Sequence, residues 1–209
     1  MSMSRVSSCS SWQRHSCVMA LIALATLSGT ACVHNVAINP SDPLYGARNF
    51  VVEPLNFSSF SVGRLPEEAY LGRKDVQQQQ SWQIDKGETA QRFLAEMVQA
   101  AGAWGMQIQP APPPGPGYFI LRPSVSLIEP GNYNYFVNLP TQINIVLEIF
   151  APDGQRVGLE AMSTRVPATL ANPSSGGRMR QAGAQLGYQT AVYLARRAGL
   201  RRVNGGLVR

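Results

Sequence analysis

From residue 49 onward the chain switches between stretches of period two and stretches of period 3.6. The clearest strand pattern is TQINIVLEIF at 141–150, where Ile143, Ile145, Leu147 and Ile149 alternate with Gln142, Asn144, Val146 and Glu148. One face is apolar and the other mostly polar, the pattern of a sheet covered on one side. Ala151-Pro152-Asp153-Gly154 follows, and its Asp-Gly pair predicts a tight hairpin into a partner strand over 155–166, with Val157, Leu159 and Ala161 on one face. Two further strands are expected: YFILRPSVSLI at 118–128, with Pro123 marking a bend or an edge, and a first strand in 49–61, where Pro54 signals an edge or bulge. Met106–Gln109 reads as a short strand.

Helical spacing appears twice. Phe93, Leu94, Met97, Val98 and Ala101 share one face of a helix expected over 88–103, with Glu88 in its first turn and Gly102 and Gly105 as stop signals. A second helix is expected from Arg178 to about Leu200, with Leu186, Thr190 and Leu194 on its apolar side. Gly183, Gly187 and Ala191 stand four apart on it, a stripe that admits a close neighbour. Arg178, Arg180, Gln181, Gln185 and Gln189 exclude a membrane span, so the stripe predicts close packing within a soluble fold. The remaining segments read as loops: 62–86 as a solvated loop or short helix, PAPPPGPG at 110–117 as a stiff connector, and 129–140 and 167–177 as further loops. Strands grouped between helices imply an α+β fold, a mostly antiparallel sheet of four to five strands with two helices packed on one face. No internal repeat is present.

The segment before residue 48 has a different character. Residues 1–16 are polar, carry Arg5 and Arg14 and no acid, and precede CVMALIALATL at 17–27. This largely apolar run of eleven residues suits a signal-peptide core and is too short to span a bilayer. Ser28-Gly29-Thr30-Ala31-Cys32 then resembles the lipobox of bacterial lipoproteins, with Ala31 as the small residue before the cysteine and Gly29 where leucine is usual. The resemblance implies cleavage after Ala31 and an acyl anchor on Cys32. With Val33 rather than aspartate next, it also implies sorting to the outer membrane, the body facing the periplasm. An ordinary secretory signal is the alternative. The expected organisation is a signal peptide over 1–31, an anchor and tether over 32–47, and one α+β domain over 48–209.

Composition narrows the chemistry. Cys9 and Cys17 fall in the signal peptide, so only Cys32 would remain and no internal disulfide could form. Of the 18 Lys and Arg, 16 lie beyond the signal peptide against 12 acids, a net charge of +4. This mild excess does not suggest a nucleic-acid partner. Arg196, Arg197, Arg201, Arg202 and Arg209 form a basic tail, read either as a solvated helix end or as a site for anionic headgroups. His34 is the sole histidine after the signal peptide and sits beside the anchor, which argues against histidine-based nucleophilic catalysis and against a zinc site. No phosphate-binding or dinucleotide-binding glycine pattern stands in a plausible context. Neither a metal nor a cofactor is expected. The acids are scattered, and Glu67-Glu68 would diverge in a strand.

Tyr133, Tyr135 and Phe136 in the 129–140 loop are the candidate partner-contact residues, since aromatics are enriched at interfaces. The leading expectation is a non-enzymatic, membrane-tethered binding or scaffold module of the cell envelope, with an envelope protein as partner. The alternative is a ligand carrier, or an envelope-acting enzyme using a carboxylate pair. A large apolar pocket would favour the carrier, a flat exposed surface or free edge a protein partner, and a close pair of buried acids the enzyme.

Overall fold

The computed structural model describes residues 39–112, 116–134 and 138–203. In chain order the elements are β1 (Asn49–Val52), β2 (Ser61–Val62), β3 (Leu65–Pro66), α1 (Glu67–Leu71), α2 (Val76–Gly102), β4 (Gln107–Pro110), β5 (Phe119–Glu129), β6 (Asn132–Tyr133), β7 (Asn138–Leu139), β8 (Thr141–Phe150), β9 (Arg156–Val166) and α3 (Ser175–Arg197). The α+β class holds. The main sheet is mixed and has seven strands, which corrects the expectation of a mostly antiparallel one of four to five. β5, β8 and β9 form an antiparallel meander, but β1 pairs parallel with both β4 and β5, and β2 runs parallel to β5. The cause is the route from β1 to β4. It passes through α2, and a helical crossover returns the chain in its starting direction.

Both prolines mark real irregularities. β1 stops at Val52, just before Glu53-Pro54. Along the same side of β5 only Asn56 bridges to Ser124 before β2 resumes the pairing. Pro123 lies in β5 beside this gap: the Leu121 carbonyl accepts from Glu53 N–H at 2.8 Å, and Val125 N–H donates to Asn56 O at 2.8 Å. The missing proline N–H therefore falls where the neighbouring strand has broken, and Pro123 is accommodated in a central strand.

Residues 141, 143, 145, 147 and 149 of β8 are fully buried while the alternate ones are half-exposed. Burying each of the four Ile and Leu side chains contributes about 1.5–3 kcal/mol. β9 pairs with β8 so that Met162 faces Ile145 and Glu160 faces Leu147. The even-numbered residues of β9 thus share the covered face. Leu159, 58% exposed, and Ala161 lie on the open side with a partly buried Val157 at the irregular start of the strand. β8 sets the register, and a one-residue offset reverses every side chain.

α2 begins at Val76, twelve residues before the expected start. Asp75 caps it, its carboxylate accepting from Gln78 N–H at 2.8 Å, and the glutamine run forms its exposed first turns. Glutamine is a good helix former, so Gly87 is crossed at modest cost. α3 is capped by Ser174, whose hydroxyl accepts from Gly177 N–H at 3.1 Å. α2 packs on α3, and α3 packs on β8 and β9. Sandwiched in this way, α3 is buried around its whole circumference from Thr190 to Ala195. The glycine stripe faces α2, as close packing required. A Cβ on Gly183 would lie 2.5 Å from the Thr89 carbonyl oxygen, and one on Gly187 would overlap that of Phe93. No described side-chain polar atom is buried without a partner. Among the described residues no helix is long and apolar enough to cross a membrane.

Candidate functional site

The two helices cover one face of the sheet. The opposite face carries a row of charges of alternating sign. Arg122 on β5 grips Glu53 through two hydrogen bonds, Nε to Oε2 at 2.7 Å and Nη2 to Oε1 at 3.0 Å. It pairs in register with Glu148 on β8, and its guanidinium lies 4.8 Å from the Phe150 ring centroid. Glu148 accepts from Arg156 at 3.0 Å. Hydrogen bonding to Glu53, then the charges of Glu53 and Glu148, raise the Arg122 pKa above its ordinary value. Farther along, Arg165 Nε donates to Gln142 at 2.6 Å. Pairs this exposed contribute about 0–1 kcal/mol each, well below the buried β8 side chains, so they order the surface rather than hold the fold. Leu159 and Ala161 lie exposed on this same face. Among the described residues β9 pairs only with β8, leaving an edge of 11 residues open.

In the chain between β5 and β8 comes the β6–β7 hairpin, a separate two-stranded sheet. Of the three candidate contact residues, Tyr133 lies in β6 and is half-buried. Tyr135 and Phe136 lie outside the described residues, as do Cys32 and His34. The hairpin's base is clamped by Arg178, which the sequence marked as a helix start and as a bar to a membrane span but not as a clamp. Arg178 is 1% exposed. Its Nε donates to Thr141 Oγ1 at 2.9 Å, Nη2 to Pro130 O at 3.2 Å, and Nη1 to Pro173 O at 2.5 Å and Asn172 O at 3.3 Å. Thr141 Oγ1 in turn donates to Pro130 O at 2.6 Å. One guanidinium therefore ties both ends of the 130–141 segment to the start of α3. All its acceptors are carbonyls and a hydroxyl, and burial lowers its pKa. Gly131 completes the clamp at φ +69°. A Cβ there would sit 2.5 Å from Leu139 O, a position only glycine fills.

A second feature is an open cleft of about 450 Å³ lined by residues from 57–61 and 64–68 and by Ser126. Glu67 at its wall accepts from Trp82 Nε1 and from Lys86 Nζ, both at 2.6 Å. The Lys86 ammonium lies 5.7 Å from the ring centroids of both Phe57 and Phe60, and Lys74 lies 5.0 Å from that of Tyr70. Glu68 is exposed, so the adjacent acids diverge. The close pair of carboxylates is instead Asp85 and Glu88, one turn apart on α2, and both bind Arg180 Nη1, at 2.8 and 2.7 Å. Burial, and to a lesser degree the Glu88 charge, raise the Asp85 pKa against the pull of Arg180. Among the described residues no group of three His, Cys, Asp or Glu side chains could hold a metal ion.

No single residue signalled the Arg178 clamp, because its acceptors come from positions 130, 141, 172 and 173. The Glu67–Lys86 pairing is equally nonlocal. No protein-family model matches this sequence, and no curated protein matches it. Several solved structures are similar in part, two of them as follows. One is the PelC dodecamer from Paraburkholderia phytofirmans, at 8% identity and a TM-score of 0.40, covering 78% of this chain and 94% of that one. The other is a minor lipoprotein from Acinetobacter baumannii, at 9% identity and a TM-score of 0.41, covering 73% of this chain and 97% of that one.

Proposed function

We propose that this chain is a non-enzymatic binding or scaffold module of the bacterial cell envelope, tethered through a lipid on Cys32 to the periplasmic face of the outer membrane. The observation that carries the reading is the open sheet face, bordered by the free edge of β9. On it Leu159 and Ala161 are exposed among paired charges. Such a surface suits a macromolecular partner. The covered face is filled by α2 and α3 and supports no carrier reading. The Asp85–Glu88 pair is tied up by Arg180, which counts against a carboxylate-pair enzyme.

The test places a photo-crosslinking amino acid at Ala161, and as a control at Gln91 on the exposed side of α2, in the full chain expressed in a Gram-negative host. The expected result is a discrete product from Ala161, absent from Gln91 and abolished by Leu159→Arg. No product from the sheet face would overturn the scaffold reading. The anchor is tested separately by intact mass and membrane partition beside Cys32→Ser. A soluble product cut without lipid would remove the tether from the proposal.

A further inference from the structure

Residues 39–48 dock on one end of the fold. Asp42 receives two hydrogen bonds from Arg197 at the end of α3, 2.7 Å from Nη2 and 2.8 Å from Nε. Gly46 N–H donates to Ala198 O at 3.0 Å, and Leu44 is fully buried. The same end gathers the turn that closes α2. Arg48 Nη1 donates to Gly105 O at 3.2 Å, and Val203 N–H donates to Ala103 O at 2.9 Å. Residues 39–48, 98–110 and 193–203 thus form one end of the molecule. Seven residue steps separate Cys32 from Asn39, a reach of about 25 Å at full extension. The 27-residue α2 is about 40 Å long, so an anchor on Cys32 cannot reach round to its other end.

Charge is concentrated at this end. The three segments contain Arg48, Arg196, Arg197, Arg201 and Arg202 against Asp42 alone. The rest of the chain from Cys32 onward balances, with eleven Lys and Arg to eleven acids. These three segments therefore carry a net +4, and the start of β9, which meets Arg197 at the Val157 carbonyl, brings Arg156 and Glu160 beside them. Arg196 and Arg197 complete the last turn of α3, where cations suit the helix dipole. That role does not extend to Arg201 and Arg202, which lie beyond the helix; Arg48, from another segment, spends one nitrogen on the Gly105 carbonyl after α2, and all three are exposed. Among them stand Tyr45, 52% exposed, Val203, 59% exposed, and a half-buried Trp104. Tyrosine and tryptophan beside arginine is the composition of a protein surface seated at the headgroup level of a bilayer.

We infer that this end is a membrane-facing surface: Arg48, Arg201 and Arg202 take the anionic headgroups of the bilayer that holds the Cys32 lipid, with Tyr45 and Trp104 at the interface. The inference rests on the anchor proposed above. It adds an orientation. The body stands on this end, with the long axis of α2 rising from the membrane and the cleft beside Glu67 held away from it.

Trp104 is a built-in reporter. Trp82 lies 22 residues earlier on α2, about 33 Å away along the helix. Protein purified from a Gram-negative host is first weighed to establish acylation. It is then reconstituted into vesicles of phosphatidylcholine alone, or of 70% phosphatidylcholine and 30% phosphatidylglycerol, each with a headgroup-level nitroxide lipid. The Trp104 signal is the difference between wild type and Trp104→Phe. The expected result is quenching in the anionic vesicles only, reversed by 0.5 M salt and by Arg201→Glu with Arg202→Glu. At about fivefold per basic residue near an anionic surface, losing the two arginines alone weakens the docked orientation about 25-fold, and the two introduced carboxylates weaken it further. The salt response needs no variant and stands even if the double variant folds poorly. Acylated protein whose Trp104 is unquenched in anionic vesicles, or equally quenched in both at any salt, overturns the inference. A mass without lipid overturns the anchor instead. The same protein is then sedimented with both vesicles: salt-sensitive binding to the anionic ones, lost in the double variant, upholds the arginine surface, and no binding overturns it.

Discussion

Two glycine-to-alanine changes of identical chemistry should move stability in opposite directions. Gly87 is exposed in the interior of α2, and a Cβ there would meet nothing within 4 Å. Alanine is favoured over glycine in a helix interior by about 0.8–1 kcal/mol, so Gly87→Ala should stabilise by roughly that amount. Gly187 gains the same propensity term. Its new Cβ, however, would overlap the Phe93 carbonyl oxygen and lie 3.0 Å from Met97 N. Both are backbone atoms of α2, so relief requires the two helices to separate. Separation weakens contacts along an interface that includes Gly183, where a Cβ would be 2.5 Å from Thr89 O. Overpacking of this kind typically costs about 1–3 kcal/mol. Contact with main chain rather than a flexible side-chain end puts this case at the upper limit. Gly187→Ala should therefore lose about 2 kcal/mol net, and Tm should fall by about 4–8 °C for a domain of this size. Urea and thermal unfolding of both variants give the comparison directly. If Gly187→Ala melts at or above the wild type while Gly87→Ala does the same, propensity alone governs both sites and the close helix packing is wrong.

Asp42→Asn tests the docking of the tether by its pH dependence. Burial alone would raise the Asp42 pKa, but the hydrogen bond from Arg197, the Leu44 N–H and the Arg197 charge together hold it below its usual value of 3.8. A depressed carboxylate pKa contributes stability that is present above the unfolded pKa and lost as pH falls through the folded one. The variant should thus unfold more easily than wild type at pH 6, with the gap closing as the pH drops below 3.8; a gap constant with pH would show that the carboxylate charge plays no part. Arg178→Met should leave the part-buried carbonyls of Asn172 and Pro173 without their guanidinium donor, at about 1 kcal/mol each because water reaches them, partly offset by no longer burying a charge. A net loss of about 1 kcal/mol, with faster amide exchange over the described residues of 131–141, is expected; unchanged exchange there would sink the clamp. Leu159→Ser should change stability by no more than about 0.5 kcal/mol, and a larger loss in urea unfolding would place Leu159 on the covered face.

The sequence alone was enough for whatever depends on neighbours along the chain. The alternation at 141–150 marks β8 and its buried face, because strand side chains repeat every two residues. Asp153-Gly154 marks the turn into β9, where Gly154 has φ +85°, and the stripe through Gly183 and Gly187 announced a close neighbour. The sequence also set Cys32 apart as the candidate anchor. Tertiary structure decided what depends on partners distant in sequence. Leu159 and Met162 are both apolar, and only pairing with β8 determines which of them faces the helices. The parallel placement of β1 beside β4 and β5 has no local signature, because it follows from where α2 returns the chain. The first turns of α2 were hidden by their polarity: they bury little besides Trp82, and a helix with a short apolar contact shows no stripe. Arg178 and Asp42 were illegible for the same reason. A lone charged residue reads as surface, and only the fold brings four backbone and hydroxyl acceptors to one and a guanidinium 155 positions away to the other. The concentration of net charge at the docked end is likewise a tertiary fact, since Arg48 joins Arg201 and Arg202 only where α2 and α3 end side by side.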